Sequence, residues 1–579
     1  MDTIKKLNFL FSAKMKLQIA GMFVIITLGS FAELLGVTVI LPVVNLAIDE
    51  EAMLTNTYVK ILVFITGTTD RKQLLIWILL LTIGIYVLKN LYLSWMTYMM
   101  NTFSKNTRMH YCMVLLKAYM KQPYKYFLSH STPDIIRSVN ADTVNLYATI
   151  TGGLQVFSQF LTVAMIAIYL ASTNFLMAVV IAVLVGSCEL FCLLCLQKKA
   201  KNLGKKTQHV SSKIYLYSKQ PFEGIKEVKI ANKEQFFMDT YESAFKIATN
   251  VERTVNLLQT LPKYLLETIC IGGIMGYLAV AVACGQDVST LVPQLAVFAV
   301  GAFKLLPSAN SLYQNFIYIL YHKASIDVIY NDIRSVEQID IDFADAEIIS
   351  GRKRLVFNDK IEICDLSFHY ETVEKNVLEN ITLSIQKGQS VAFVGSSGGG
   401  KSTLVDLVLG LLTPQKGKIL VDGVDVADHE REWHNTVGYI PQQIYMLDDT
   451  IRNNVAFGVK AEDIDEEKVW HALSEAQLDG FVRSLEAGLD TNVGEAGTRL
   501  SGGQRQRIGI ARALYNDPDV LFFDEATSAL DTETEKEVMA AIDGLHGTKT
   551  MIMIAHRLTT IENCDHVYRV GNQKIVQER

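Results

Sequence analysis

Long apolar runs fill the chain up to about residue 325, and shorter apolar runs broken by polar turns follow them. A helix needs about 20 mostly apolar residues to cross a bilayer. Stretches of that length occur at 16–47, 73–101, 143–171, 174–197, 256–284 and 289–320. The pattern predicts an α-helical membrane domain with six transmembrane helices. Several stretches exceed the required length, so we expect their helices to continue into the cytosol.

The later, shorter runs predict an α/β domain. Val391–Val394 and Val520–Phe523 are apolar runs typical of buried strands, and a helical pattern begins soon after the first, at Thr403. Residues 335–355 are charged and lack periodicity, which indicates a linker. The predicted boundaries are therefore 1–334 for the membrane domain, 335–355 for the linker and 356–579 for the α/β domain.

Charge predicts the orientation of the membrane domain. The chain is 50% hydrophobic with a mean hydropathy of +0.22, in keeping with a membrane protein. Lysines and arginines cluster before the first stretch and in the second and fourth connections, whereas the other connections are short or acidic. The positive-inside rule then places both termini in the cytoplasm. The first stretch is too long for a secretory signal.

The two long basic connections are expected to carry coupling elements. Gln122–Phe127 and Lys219–Ile225 each combine a Pro or Gly break with aromatic and charged residues. This composition favours short helices that press on the α/β domain, although an ordinary surface turn is the alternative.

A phosphate loop follows the first predicted strand. It fits the pattern G-x-x-x-x-G-K-[ST] at every fixed position, through Gly395, Ser396, Ser397, Gly398, Gly399, Gly400, Lys401 and Ser402. Its backbone N–H groups and the following helix N-terminus suit phosphate groups. We expect Lys401 to reach the β- and γ-phosphates and the Ser402 hydroxyl to hold Mg²⁺. The complete match in a strand–loop–helix context disfavours a ligand-free glycine turn.

The second predicted strand ends in Asp524 and Glu525. A carboxylate at the end of an apolar strand is costly unless it meets a cation. We expect Asp524 to meet Mg²⁺ through water, and Glu525 to polarise the water that attacks the γ-phosphate. A helix-capping acid pair is the alternative.

Residues 500–504 read Leu-Ser-Gly-Gly-Gln and lie between the phosphate loop and the Asp-Glu pair. With this order of motifs, the second half resembles the nucleotide-binding domain of the ABC ATPases. The resemblance implies that Tyr370 stacks on adenine and that Gln442 contacts Mg²⁺. It also implies an ATP site in which His556 orients the γ-phosphate and Asp531 lies in the segment between the two sites. The implied ATP-binding set is completed by Thr403 and by the signature residues Ser501, Gly502, Gly503 and Gln504.

Every motif of that set occurs once, beside one membrane half. The resemblance therefore implies a half-transporter that works as a homodimer with two active sites, each completed by the partner's signature residues. ATP and Mg²⁺ are the implied cofactors. Lys401, Gln442, Glu525 and His556 are the implied catalytic residues, and Ser402, Gln442 and Asp524 the implied metal ligands.

Charged residues inside the apolar stretches point to the transported molecule. Such residues are expensive in a membrane and usually face a cavity. Lys89, Lys263 and Lys304 are three cations of this kind, which suggests an anionic group on the substrate. Internal pairing is the alternative, above all between Lys263 and Glu267 at i, i+4. Lys89 could also reach toward an interface.

The whole chain resembles the lipid-linked oligosaccharide flippases of bacterial N-glycosylation and, more weakly, the lipid A flippases. The resemblance rests on 305–310, 327–334, 438–445 and 564–569. It implies that Lys89, Lys263, Lys304 and Ser311 occupy positions where the family has arginines that meet a pyrophosphate. Lysine lacks the bidentate guanidinium fork, so the substrate is open at this point. Residues 52–68 resemble the family's short external helix.

Three functions compete at this point. The resemblance favours flipping of a polyprenyl-pyrophosphate glycan across the bacterial inner membrane, with membrane lipids around the protein. A drug, peptide or lipid A-type exporter would use the same ATP site. The third function, that of a non-transporting ABC ATPase acting on nucleic acid, is disfavoured by the six predicted spans. The net charge of −6 also gives no basic face for a duplex.

Overall fold

The computed structural model describes residues 2–39, 63–64, 67, 71–284, 288–337, 353–371, 375–525, 532–555 and 561–579. Asp531 and His556 lie outside these residues, as do most of the predicted external helix at 52–68 and most of the predicted linker. The chain divides into two compact units. The first comprises Met1–Gln122 with Tyr126–Ile341, and the second Pro123–Lys125 with Asp342–Arg579.

The described residues before residue 338 are mainly helical. In chain order its helices are α1 (Asp2–Leu10), α2 (Ala13–Thr38), α3 (Arg71–Met120), α4 (Tyr124–Ser129), α5 (Thr132–Arg137), α6 (Thr143–Thr173), α7 (Phe175–Glu223), α8 (Ile225–Ala231), α9 (Glu234–Ala283) and α10 (Val288–Glu337). A π-helical turn, Ser138–Asp142, joins α5 to α6.

Among the described residues, five helical segments are long and apolar enough to cross a membrane: Ala13–Thr38, Lys72–Met120, Thr132–Thr173, Phe175–Glu223 and Glu234–Val280. The predicted sixth span lies within α10, whose first side chains are outside the described set, so six spans stay a prediction. The helices α3, α9 and α10 each have 50 residues. At 1.5 Å per residue such a helix is about 75 Å long, more than twice the bilayer core.

Glycine lets two of these long helices approach closely. A Cβ on Gly204 in α7 would lie 1.9 Å from the carbonyl oxygen of Tyr321 in α10. Beside this contact the Thr207 and Tyr321 hydroxyls are 2.8 Å apart. The packing of α7 on α10 therefore requires a residue without a side chain at position 204.

One predicted coupling element is a separate short helix and the other is not. The helix α4 starts within the predicted segment Gln122–Phe127. In the second segment, however, α7 continues through Pro221 and ends at Glu223, where Gly224 has non-helical dihedral angles and α8 follows. The sequence predicted a Pro or Gly break in this segment. The chain turns at Gly224 rather than at Pro221, because proline can bend a helix without ending it when neighbouring packing holds both sides.

The second unit contains two sheets. Its strands are β1 (Lys360–Phe368), β2 (Leu378–Gln386), β3 (Ser390–Val394), β4 (Lys416–Val421), β5 (Val424–Asp425), β6 (Val437–Ile440), β7 (Val520–Asp524), β8 (Thr550–Ile554), β9 (His566–Gly571) and β10 (Lys574–Gln577). The antiparallel sheet has the order β2-β1-β4-β5, and the larger sheet the order β10-β9-β3-β8-β7-β6. Among the described strands of the larger sheet, only the β9–β10 pair is antiparallel.

Burial follows this topology. Four successive residues of β3 are buried, as expected for a parallel strand covered on both faces, whereas buried and accessible residues alternate along much of β2. The helices of this unit are α11 (Lys401–Val408), α12 (Glu430–His434), α13 (Ile451–Val455), α14 (Glu466–Glu475), α15 (Asp479–Ser484), α16 (Gly502–Leu514) and α17 (Thr532–Asp543). Because β3, β7 and β8 run parallel, their carboxyl ends meet at one edge of the sheet.

Candidate functional site

The phosphate loop connects β3 to α11 at that edge. Gly395, Gly398 and Gly400 have φ angles of 147°, 78° and 99°, a region that favours glycine. A Cβ on Gly395 would also lie 2.2 Å from the carbonyl oxygen of Val570. The Gly399 N–H donates to the Ser396 carbonyl oxygen at 3.1 Å and closes the turn. The glycines of the motif are thus required by the backbone path itself.

Lys401 is buried and folds back over this loop. Its Nζ donates to the carbonyl oxygens of Gly395 and Ser396, both at 2.9 Å. Burial lowers the pKa of Lys401, and the carboxylates of Glu525 and Asp524 act against that shift. The lysine and both predicted acids therefore share one electrostatic environment.

Tyr370 lies beside the start of α11. Its hydroxyl is 3.0 Å from the Thr403 hydroxyl, and its ring packs edge-on against Phe368 at 5.1 Å between centroids. These contacts hold the aromatic ring next to the loop. Its stacking on adenine stays a prediction.

Two carboxylates stand at the end of β7. Asp524 accepts a hydrogen bond from the Tyr439 hydroxyl at 3.3 Å, and Glu525 accepts one from Gln442 Nε2 at 2.8 Å. The Glu525 backbone has a φ of 48° and donates its N–H to the Ile554 carbonyl oxygen. Gln442 and Glu525, which the sequence assigned separately, are therefore in direct contact.

The oxygen donors suit a magnesium ion. Asp524 supplies a carboxylate, Ser402 a hydroxyl and Gln442 an amide, all of the hard type that Mg²⁺ prefers. Burial raises the pKa of Asp524, and the charge of Glu525 raises it further, against the effects of Tyr439 and Lys401. A divalent cation would offset this crowding of negative charge, so the residues fit the ion.

The signature residues begin α16. The Ser501 hydroxyl accepts from the Gln504 N–H at 3.2 Å, and Gln504 Oε1 accepts from the Ser501 N–H at 2.8 Å. This capping box is a helix-start signal in its own right. Ser501 and Gly502 are exposed, whereas Gly503 is buried. The structure therefore presents the first two signature residues on the surface, at the positive end of a helix dipole.

Sequence reasoning missed two residues of this site. Tyr439 bonds Asp524 from the neighbouring strand β6. Asp406 lies on α11, where burial and the charge of Asp524 raise its pKa to about 6. A carboxylate inside the apolar run Leu404–Val408 is a signal that could have identified it.

Two of the predicted membrane cations meet at one acid. Glu33 Oε2 lies 3.2 Å from Lys89 Nζ and 3.1 Å from Lys304 Nζ. Lys89 is only 5% exposed and also lies over the Tyr86 ring, at 4.6 Å. We call Glu33, Lys89 and Lys304 the charge cluster. Glu33 and Lys304 line a cavity of about 300 Å³ whose other polar lining includes Thr97, Gln159 and Ser308.

The other two predicted substrate residues lie outside the charge cluster. Lys263 is exposed with its Nζ 6.0 Å from the Tyr264 ring. The pair with Glu267 that the sequence offered as an alternative is not among the ion pairs of the described residues, in contrast with the Glu33 pairs. Ser311 accepts a hydrogen bond from Asn315 Nδ2 at 3.2 Å. The structure thus joins Lys89 to Lys304 but neither to Lys263.

Comparison with known proteins covers both units. A family model described as "ABC transporter" matches residues 378–528, and one described as "ABC transporter transmembrane region" matches 22–284. A Francisella novicida protein named "ATP-dependent lipid A-core flippase" is 33% identical over 479 residues, which are 80% of this chain and 77% of the relative. A Cupriavidus metallidurans protein of the same name is 28% identical over 505 residues, which are 86% of this chain and 83% of the relative.

A solved structure described as "Structure of a bacterial Atm1-family ABC exporter with ATP bound" has the same fold. It superposes with a TM-score of 0.78 at 20% identity, over 98% of this chain and 95% of that chain.

Proposed function

Since the chain belongs to the ABC transporter family and couples ATP hydrolysis to transport, we propose that it flips a lipid with an anionic, glycan-bearing headgroup. Our first candidate is a polyprenyl-pyrophosphate oligosaccharide in the bacterial inner membrane. The observation that carries the proposal is the charge cluster beside the polar membrane cavity.

Hydrolysis at the ATP site supplies the free energy for transport. Lys401 leaves its loop carbonyls to meet the β- and γ-phosphates, and Ser402, Gln442 and Asp524 are the residues that would hold Mg²⁺. At that position a bound Mg²⁺ would supply positive charge next to the phosphate oxygens. Glu525, fixed by Gln442 and by its own backbone bond, orients the attacking water. Tyr370 stacks on the adenine base.

The active form is a homodimer. One chain carries one phosphate loop and one signature segment, and Ser501 and Gly502 stand on the surface at the start of α16. A helix N-terminus with exposed N–H groups binds phosphate well. A second copy would supply those groups to the ATP bound at Lys401, and a two-fold axis would make both sites equivalent.

The charge cluster gives the membrane cavity a positive charge that suits an anionic group. Two lysines share one glutamate, so the cluster carries a net positive charge when all three groups are ionised. Lys304 and Glu33 line the cavity, whereas Lys89 is buried and does not line it. A phosphate entering the cavity would compete with Glu33 for the two ammonium groups. Lysine acts here as a point charge, which suits a phosphate without fixing its orientation.

Lipid A with its attached core is the second candidate. Its support is the name "ATP-dependent lipid A-core flippase" borne by relatives 33% and 28% identical to this chain. Both candidates are anionic glycolipids, so the cluster alone does not choose between them.

Reconstitution separates the candidates. The full-length protein in proteoliposomes would be given ATP and, in parallel, a fluorescent polyprenyl-pyrophosphate oligosaccharide, fluorescent lipid A-core or a neutral glycolipid of similar size. ATP-dependent movement of the first supports our first candidate, and movement of lipid A-core alone supports the second. Equal movement of the neutral lipid, or none of any lipid with hydrolysis intact, would overturn the proposal. Glu525→Gln protein is the control for ATP dependence.

A further inference from the structure

A second membrane cavity, of about 150 Å³, is separate from the one at the charge cluster. It is lined from α6, α7, α9 and α10 and shares no lining residue with the polar cavity. Its described walls are apolar, including Leu170, Ile181, Phe298 and Leu305, with Glu189 as their one charged residue. The chain thus has two chemically opposite cavities in one helical unit.

One carboxyl oxygen of Glu189 lacks a hydrogen-bond partner in the described part of the chain. Its Oε1 atom is buried and accepts no hydrogen bond there. The residue lies in α7, within a predicted membrane span, where an uncompensated carboxyl is costly and usually faces a cavity or a partner. The lysines Lys89 and Lys304 already pair with Glu33. A bound group that carries a positive charge or a proton donor would compensate the buried Oε1 atom of Glu189.

The shape of the cavity limits that group. An apolar cavity of about 150 Å³ holds a molecule the size of benzene. A carboxylate in an apolar wall selects a positive charge or a proton donor. We propose that the cavity binds a small lipophilic amine, whose ammonium group donates to Glu189 and whose apolar body, about one aromatic ring, packs against Phe298 and the aliphatic walls. This site goes beyond the flippase function and does not depend on it.

A matched pair of probes tests charge against size. Binding of radiolabelled N,N-dimethylbenzylamine to the purified full-length protein in detergent micelles would be measured at pH 7, with empty micelles subtracted. Isobutylbenzene has the same shape without the charge and serves as competitor. We expect saturable amine binding and at least tenfold weaker competition by isobutylbenzene. Equal competition, or no saturable binding, would overturn the proposal.

Variants then locate the site. Glu189→Gln keeps the size of the side chain and is expected to weaken amine binding at least tenfold, whereas Glu189→Asp should stay within a few fold of the natural protein. Ala302→Leu projects extra methyl groups from the cavity wall and should also block binding. Unchanged affinity in both Glu189→Gln and Ala302→Leu would contradict the assignment. Size-exclusion profiles show which variants fold, and the probe pair on the unaltered protein decides the question if Glu189→Gln does not.

Discussion

The ATP site and the charge cluster hold their charged residues in different ways. Lys401, Asp524 and Glu525 come from short segments at the ends of parallel strands. Lys401 is held by a carbonyl of its own loop, and Glu525 by a backbone bond to the neighbouring strand β8. Glu33, Lys89 and Lys304 come from α2, α3 and α10, and only the packing of those helices brings them together. In a parallel sheet the topology decides which residues meet, whereas in a helical unit each pairing depends on long-range contacts.

The largest expected effect comes from a substitution that inactivates the ATP site alone. Glu525→Gln keeps the hydrogen bond to Gln442 but removes the carboxylate beside the attacking water, so ATP hydrolysis should fall by a factor of about 10²–10⁴. Phosphate release measures this, with nucleotide binding as a check on folding. Glu462→Gln, at an exposed acid of the same unit, is the matched control and should hydrolyse ATP normally. Turnover of Glu525→Gln near that of the control would remove Glu525 from the reaction.

The second largest effect is expected from substitutions that remove charges of the charge cluster. Lys304→Met removes an ammonium group but keeps the apolar stem, and affinity for a polyprenyl pyrophosphate should drop about tenfold, or about 1.4 kcal/mol. Lys89→Met should lower the affinity less, because Lys89 does not line the cavity and Lys304 stays in place beside Glu33. Fluorescence quenching with a labelled lipid measures the affinity. Lys263→Met is the comparison, because Lys263 lies outside the cluster. If Lys263→Met causes the largest loss of affinity, the substrate binds near Lys263 and not at the charge cluster.

These two predictions differ in how far the sequence supports them. The phosphate loop, the Asp-Glu pair and the signature segment could be assigned from the sequence because each motif is contiguous and its strand context is readable. The capping box at Ser501 was equally local. The contact of Gln442 with Glu525 needed the structure, since their strands β6 and β7 are joined by a long excursion through several helices.

In the membrane unit the sequence identified charged residues but not their partners. The i, i+4 spacing of Lys263 and Glu267 left a local pair open as an alternative, yet spacing only permits a contact, and both side chains are exposed. Glu33 instead meets lysines from two other helices. Helix pairing follows from shape complementarity along the whole helix, which the apolar pattern of one span does not contain.

A third prediction tests the long-range packing of α7 on α10. Gly204→Ala would press a methyl group into the Tyr321 carbonyl on α10 and should destabilise the protein by about 1–3 kcal/mol. The midpoint of thermal unfolding, followed by intrinsic fluorescence, measures this. Gly276→Ala is the matched control, because a Cβ there meets no heavy atom within 4 Å and alanine favours a helix. Equal midpoints for the two variants would show that α7 and α10 pack less tightly than the structure indicates.

The smallest effect concerns pH at the ATP site. Burial and Asp524 raise the pKa of Asp406 to about 6, above its ordinary value. A raised acid pKa stabilises the fold below the ordinary pKa, and that contribution is lost as pH rises through about 6. Asp406→Asn should therefore gain thermal stability relative to the natural protein between pH 5 and pH 7. The gain should be below about 1 kcal/mol, since the side chain is partly exposed. A difference independent of pH would contradict the raised pKa.

The most direct test of the account measures transport and hydrolysis together. Proteoliposomes of the natural protein and of Lys304→Met would be given ATP and a fluorescent polyprenyl-pyrophosphate glycan, and lipid translocation and phosphate release would be followed in the same sample. We predict that the natural protein translocates the lipid only with ATP, and that Lys304→Met moves several-fold fewer lipids per ATP hydrolysed. An unchanged ratio in Lys304→Met would contradict the claim that the charge cluster meets the anionic headgroup.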